Sequence, residues 1–280
     1  MKANKFKSPK IAIIGGSGLE KFPELNKNKI AIIKPRTKYG YPSDKIIISE
    51  YKGKMIAFLP RHGEDHSLPP HKIPYKANIA ALKQLGVHYI ISTCVAGSLK
   101  KKIKPGDFVI INQFINLTWG RDDYFDIDKK FIHLPLEKPY CPTLKKLIYS
   151  SAKKYGVTIH KKGTVVVIQG PRFSTIAESR WFIKEGWDLV NMTQYPECYF
   201  ARELGICYAA IASITDYDVG IQSNIQINNA NYNKVLSIFN KNILTMKQLI
   251  LEVLSKKFPE KNCECQKNIL APFYAKKIHQ

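Results

Sequence analysis

The sequence predicts an α/β fold, a single domain with a central mixed sheet flanked by helices. Three observations predict it. Apolar runs of strand length alternate with segments of helical periodicity along most of the chain. Glycines stand where those helical segments end, with a further apolar run close behind. The strand runs are near-continuously apolar, the pattern of a sheet covered on both faces.

Taken in order, strands are expected at residues 11–14, 46–48 and 55–59. A helix starts at Pro74, where proline suits a first turn, runs through the apolar positions of residues 77–85 and stops at Gly86. A strand at 87–93 follows at once. The same grammar repeats as strand 164–168, helix 177–185 ending at Gly186, strand 188–192, helix 196–204 ending at Gly205, and strand 206–215. Residues 228–256 carry Val235, Leu236, Phe239, Ile243, Met246, Leu249 and Ile250 at helical spacing and read as one long helix, ended by Pro259. No linker, repeat or low-complexity stretch divides the chain. Residues 1–258 are therefore read as one domain, and 259–280 as a tail whose Leu270, Pro272, Phe273 and Tyr274 can dock on it or on a neighbouring subunit.

Composition narrows the function. At 280 residues, 45% of them hydrophobic, the chain can bury a sizeable core. No apolar run approaches the ~18–20 residues that cross a bilayer, and the basic start resembles neither a signal peptide nor an anchor. Six scattered cysteines in a chain too long to need stapling point to a reduced compartment, the cytoplasm. The net charge of +22 raises the question of a nucleic-acid partner. Its lysines are dispersed, however, with short clusters such as Lys100-Lys101-Lys102 but no basic helix, zinc-finger or RNA-recognition signature. The excess reads as a solvated surface, with neither nucleic acid nor membrane as partner.

Four turns at strand ends carry candidate chemistry. Gly15-Gly16-Ser17-Gly18 follows the first strand, and its amides and the Ser17 hydroxyl can cradle an anion. Lys21 stands where a dinucleotide fingerprint needs glycine, and Leu19 where a nucleophile elbow needs one; alone, the segment is an ordinary tight turn. Arg61-His62-Gly63 sets a guanidinium fork, suited to phosphate, and an imidazole beyond residues 55–59; alone, the residues equally fit a surface salt bridge. Asn191-Met192-Thr193 offers a hydroxyl and a soft apolar surface that can pack under a sugar, or simply a core methionine. Thr215-Asp216-Tyr217-Asp218 sets two carboxylates beyond the strand at 206–215. They fit either a solvated turn or an acid that grips the N7 and 6-amino edge of a purine.

Together with Gly97-Ser98-Leu99, Pro105-Gly106-Asp107 and Gly170-Pro171-Arg172-Phe173-Ser174, these stretches, in this order, resemble the methylthioadenosine phosphorylase branch of the trimeric purine nucleoside phosphorylase family. The resemblance spans about residues 11–218. It implies the type I nucleoside phosphorylase fold and a pentosyltransferase that cleaves methylthioadenosine with phosphate in purine and methionine salvage. The alternative is a broader purine nucleoside phosphorylase acting on adenosine, inosine and guanosine. It implies a phosphate pocket of Ser17, Arg61, His62, Thr193 and the loop at Cys94-Val95. It likewise implies Met192 against the ribose, Phe173 and Ser174 near the base, and Asp216, as the catalytic acid, binding the purine with Asp218. An aspartate at 216 favours a 6-amino purine, where relatives acting on 6-oxopurines commonly carry asparagine.

The resemblance further implies that His133 reaches the 5′ substituent of a neighbouring subunit's substrate in a homotrimer or a pair of trimers. No cofactor is expected, phosphate being a co-substrate, and no metal. Cys94 stands where several relatives place a hydroxyl, so backbone amides are expected to make that contact, and residues 126–131 depart from the family's usual sequence. Cys263-Glu264-Cys265 resembles a Cys-X-Cys pair of some thermophilic members, where it can be a disulfide. Its one-residue spacing is unlike ordinary structural zinc pairs, so two reduced thiols are expected.

Overall fold

The computed structural model describes residues 7–125, 133–221, 229–259 and 263–267. The first half contains β1 (Ile11–Gly15), α1 (Pro23–Asn26), β2 (Lys29–Ile33), β3 (Ile46–Tyr51), β4 (Lys54–Pro60), α2 (Tyr75–Gln84), β5 (Tyr89–Ser98), β6 (Phe108–Ile110) and β7 (Gln113–Leu117). The second half contains α3 (Pro142–Lys154), β8 (Ile159–His160), β9 (Thr164–Ile168), α4 (Ile176–Lys184), β10 (Leu189–Asn191), α5 (Gln194–Glu203), β11 (Cys207–Tyr217), α6 (Asn229–Ser255) and α7 (Glu264–Lys267).

The strands form one mixed sheet, as expected, whose main path runs β2-β3-β4-β1-β5-β10-β9-β7, with β11, β6 and β8 branching from β5. Each strand residue faces opposite to its neighbour, so the continuous apolar runs divide between two layers. Ala12 and Ile14 join a core cluster with Ile79 of α2 and Phe200 of α5. Ile11 and Ile13 face the other way, among Leu144 and Ile148 of α3 and Leu249 and Ile250 of α6. In α6, Met246, Leu249, Ile250 and Val253 make the buried stripe, and burying each such side chain stabilises by ~1.5–3 kcal/mol.

The sequence reading did not anticipate α3, β2, β6, β7 or β8. The reason is weak patterning. α3 buries a narrow stripe of Leu144, Ile148, Ser151 and Ala152 between lysine pairs, and its start is marked by Pro142 after a Cys141 cap whose sulfur accepts from the Leu144 amide. β2 leaves Ile30 and Ile32 about half exposed, and β6 and β8 are too short to show a period.

Candidate active site

The site grows from a fork in the sheet. β1 pairs in parallel with β5 only as far as Ser92, and β10 takes up that same edge, antiparallel, at Gly97 and Ser98. Between the two, Thr93 to Ala96 have no strand partner on this side, while β11 covers the opposite edge throughout. Cys94 and Val95, expected in a loop, therefore lie within a strand, and the divergence of its neighbours exposes that strand's edge to a cavity of about 460 Å³. The Gly15–Gly18 turn leaving β1 closes over the gap. The Gly16 amide donates to Thr93 Oγ1, and a Cβ on Gly16 would meet Thr93 O at 2.5 Å and Arg61 Nη1 at 2.6 Å, so no side chain fits there.

Arg61, just after β4, is wholly buried rather than a surface residue. Its Nε and Nη2 donate to the two carboxylate oxygens of Glu197 at 2.6 and 2.9 Å, and Nη1 donates to Thr93 O. Burial alone disfavours the guanidinium charge, but Glu197 outweighs it and holds the pKa above its ordinary value. Glu197, in the first turn of α5, also accepts from Ser92 and Tyr208. It is the main site residue the sequence reading left unassigned. An acidic residue opening a helix after a site strand was the visible signal, but nothing local shows that it faces Arg61 from 136 residues away.

His62 Nδ1 lies 2.8 Å from the Leu68 carbonyl oxygen, which can only accept, so the proton sits on Nδ1 and Nε2 is left as an acceptor. Its ring stacks on His66, with centroids 4.5 Å apart. His66, missed by the sequence reading, stands in the left-handed region at φ 56° and is held by Glu20 at 2.6 Å. Both rings line the cavity.

The cavity continues past β10. Thr193 Oγ1 accepts from Asn191 Nδ2, which leaves the hydroxyl proton for another acceptor. Met192 lies against Gly170, where a Cβ would approach its sulfur to 2.6 Å. β11 runs on through Tyr217, so Asp216 belongs to the strand and not to the turn expected beyond it; a register shift between Ile214 and Asp216 marks a bulge there. Bulges of this kind re-aim side chains, and Asn242 of α6 pins this one by donating to the Ile214 carbonyl. Burial raises the Asp216 carboxyl pKa, against the opposing bond from Thr215 Oγ1 at 2.6 Å, and Asp218 raises it further. Burial likewise raises Asp218, against the opposing bonds from Ser179, the Val219 amide and Ser174.

The same cavity is lined by Ser17, Arg61, His62, Cys94, Val95, Met192, Thr193, Phe173, Ser174, Asp216 and Asp218, so one space unites every expected phosphate and base residue. Burial pushes the Cys94 thiol up to about 12, so it offers no charge to an anion. Phe173 is 82% exposed, at the rim. His133 is the exception. It lies in a separate hollow with Phe114, Tyr124, Tyr195 and Tyr199. Residues 126–131 fall outside the described residues.

Residues 10–255 match the model of the phosphorylase superfamily. The chain belongs to that superfamily. It is 43% identical over 257 residues to an S-methyl-5′-thioadenosine phosphorylase of Pyrococcus abyssi, covering 92% of this chain and 96% of the relative. It is 42% identical over 271 residues to a probable 6-oxopurine nucleoside phosphorylase of Dictyoglomus turgidum, covering 95% and 98%. Methylthioadenosine phosphorylase from Schistosoma mansoni, solved with adenine, superposes with a TM-score of 0.81 at 34% identity, covering 88% of this chain and 91% of that one.

In this member of the superfamily, His62 links the site to stability. Burial first, and the Arg61 charge second, push its imidazole from 6.5 down to about 4. Between those values the unfolded chain binds a proton that the native state refuses. The native state is thus favoured above pH ~6.5 and loses up to ~3 kcal/mol as pH falls toward 4. Urea midpoints should fall more steeply from pH 7 to 4.5 for the wild type than for His62→Asn. Parallel declines would contradict this account.

Proposed function

We propose that this chain cleaves S-methyl-5′-thioadenosine with inorganic phosphate, releasing adenine and 5-methylthioribose 1-phosphate, a reversible salvage reaction that needs no cofactor. The observation that carries this reading is one cavity lined by both Ser17, His62 and Thr193, which can hold an anion, and a carboxyl at Asp216 whose buried setting favours its protonated form.

Phosphate would sit over the exposed edge of β5, with donors from Ser17, Thr193 and the backbone. His62 Nε2, an acceptor, suits the P–OH of hydrogen phosphate. Arg61 is largely engaged by Glu197, so its part is to fix the pocket wall and offer its remaining Nη1 hydrogen. A phosphate oxygen then forms the bond to C1′ as the bond to the base breaks, through an oxocarbenium-like transition state. Holding the anion beneath that carbon supplies several kcal/mol of the barrier reduction, about 7 where alignment is good. The electron pair leaving with the base is neutralised as Asp216 delivers its proton to N7, and Met192 lies along the sugar.

Relatives of both names stand at nearly equal identity; Asp216 favours the 6-amino purine. A protonated carboxyl presents one donor and one acceptor, matching N7 and the 6-amino group. Phosphate-dependent base release should be at least ~10-fold more efficient in kcat/KM from methylthioadenosine than from inosine. Equal or better use of inosine would replace this reading with the broader one.

His133 and its aromatic hollow support an assembly in which that face meets a neighbour's site, a trimer or a pair of trimers. Sedimentation should give at least three chains per particle. A cytoplasmic location fits the cysteine content, and no helix among the described residues is long and apolar enough to cross a membrane.

A further inference from the structure

Four of the six cysteines converge on one point away from the cavity. Cys141 caps α3, Cys207 opens β11, and Cys263 and Cys265 flank the start of α7. Their sulfurs all lie within 4.8 Å of one another, with Cys141 and Cys263 at 3.4 Å. A tetrahedral tetrathiolate with Zn–S bonds of about 2.3 Å has sulfur-to-sulfur edges of about 3.8 Å, so the cluster has the size of such a shell. Cys141, Cys207 and Cys265 are buried and Cys263 partly so.

The surroundings suit an anionic cluster. The Leu144 amide donates to Cys141 Sγ at 3.5 Å, and Thr143 Oγ1 lies 4.0 Å from Cys263 Sγ, the type of outer contact that orients thiolate ligands. Arg202, almost wholly buried, acts electrostatically on Cys265, yet its Nε and Nη1 have no hydrogen-bond partner among the described residues. A buried guanidinium with unpaired hydrogens calls for a nearby anion. Four neutral thiols do not supply one. A zinc tetrathiolate, with net charge −2, does.

We propose that Cys141, Cys207, Cys263 and Cys265 bind one zinc ion, which fastens the segment after Pro259 to the sheet and α3. Binding is redox-neutral: four thiols lose four protons as four Zn–S bonds form. The one-residue spacing of Cys263 and Cys265 is unlike an ordinary two-ligand zinc pair, but the fold brings four sulfurs together rather than two. The remaining two cysteines, Cys94 and Cys198, lie outside the cluster.

The test is zinc content of the purified full-length chain after dialysis against metal-free buffer, paired with a thiol titration in denaturant plus chelator without reductant. The expected result is about one zinc per chain and six titratable thiols, with zinc lost in Cys141→Ser and in Cys207→Ser but kept in Cys198→Ser. Cobalt in place of zinc should give the absorption bands of a tetrahedral thiolate site. Absence of zinc with only two titratable thiols would mean two disulfides and overturn the proposal. Absence of zinc with all six titratable would mean packed neutral thiols and overturn it equally. Both readouts are made on the wild type, so a variant that fails to fold does not decide the outcome.

Discussion

Replacing Glu197 by alanine is expected to cost ~3–5 kcal/mol of stability and to abolish phosphorolysis. The size follows from what is left behind. Arg61 is fully buried, with two of its nitrogens on Glu197, and its charge cannot be shed at any ordinary pH. Without the carboxylate, an uncompensated cation remains in the core, and Ser92 and Tyr208 lose the acceptor they share. A buried pair contributes little over an apolar pair of similar volume, so the cost is that of an orphaned partner. The double variant Arg61→Met with Glu197→Leu should therefore recover most of the stability lost in Glu197→Ala, while remaining inactive. Denaturant midpoints alongside phosphate-dependent base release separate the two effects. If the single variant were as stable as wild type, the pair would not hold the pocket wall as described.

Changing Asp216 to asparagine should lower kcat on methylthioadenosine by ~10²–10⁴-fold, the usual contribution of a positioned acid, with inosine losing far less. An amide keeps the size of the carboxyl and can still accept from Thr215, but it has no acidic proton to give to N7, whereas its NH2 can donate to the 6-oxo group of inosine. The stability sign makes the result readable. A carboxyl whose pKa is raised in the native state favours folding at low pH and loses that contribution as pH rises above its ordinary value of 3.8. At pH 7 the asparagine variant should thus be no less stable than wild type. A fall in activity on both nucleosides by the same factor would mean that Asp216 acts on the leaving group without reading the 6-position.

Much of this site was legible because its residues sit in short contiguous phrases at strand ends. Gly16-Ser17, Arg61-His62 and Met192-Thr193 were each recognisable locally, and each lines the cavity. Asp216 was found too, though in a strand rather than a turn, because the bulge that aims it depends on Asn242 from another element. Glu197 and His66 escaped notice because their meaning lies in what they touch. Cys141 and Cys207 gave no sign of belonging with Cys263 and Cys265, since no spacing rule links positions that only α3, β11 and the tail bring together.

Periodicity and glycine placement in the sequence alone determined an α/β sheet buried on both faces, because alternate residues of apolar strands must face two helical layers. They also picked out the strand ends that line the cavity, since those turns are local in the chain. Only the tertiary structure decided how that chemistry is arranged. The parting of β1 from β5 opens the strand edge, the ion pair with Glu197 takes up two of the Arg61 nitrogens at the pocket wall, and four distant thiols meet at one point. Each depends on contacts between residues far apart in sequence, which packing of the whole domain selects and no single segment encodes.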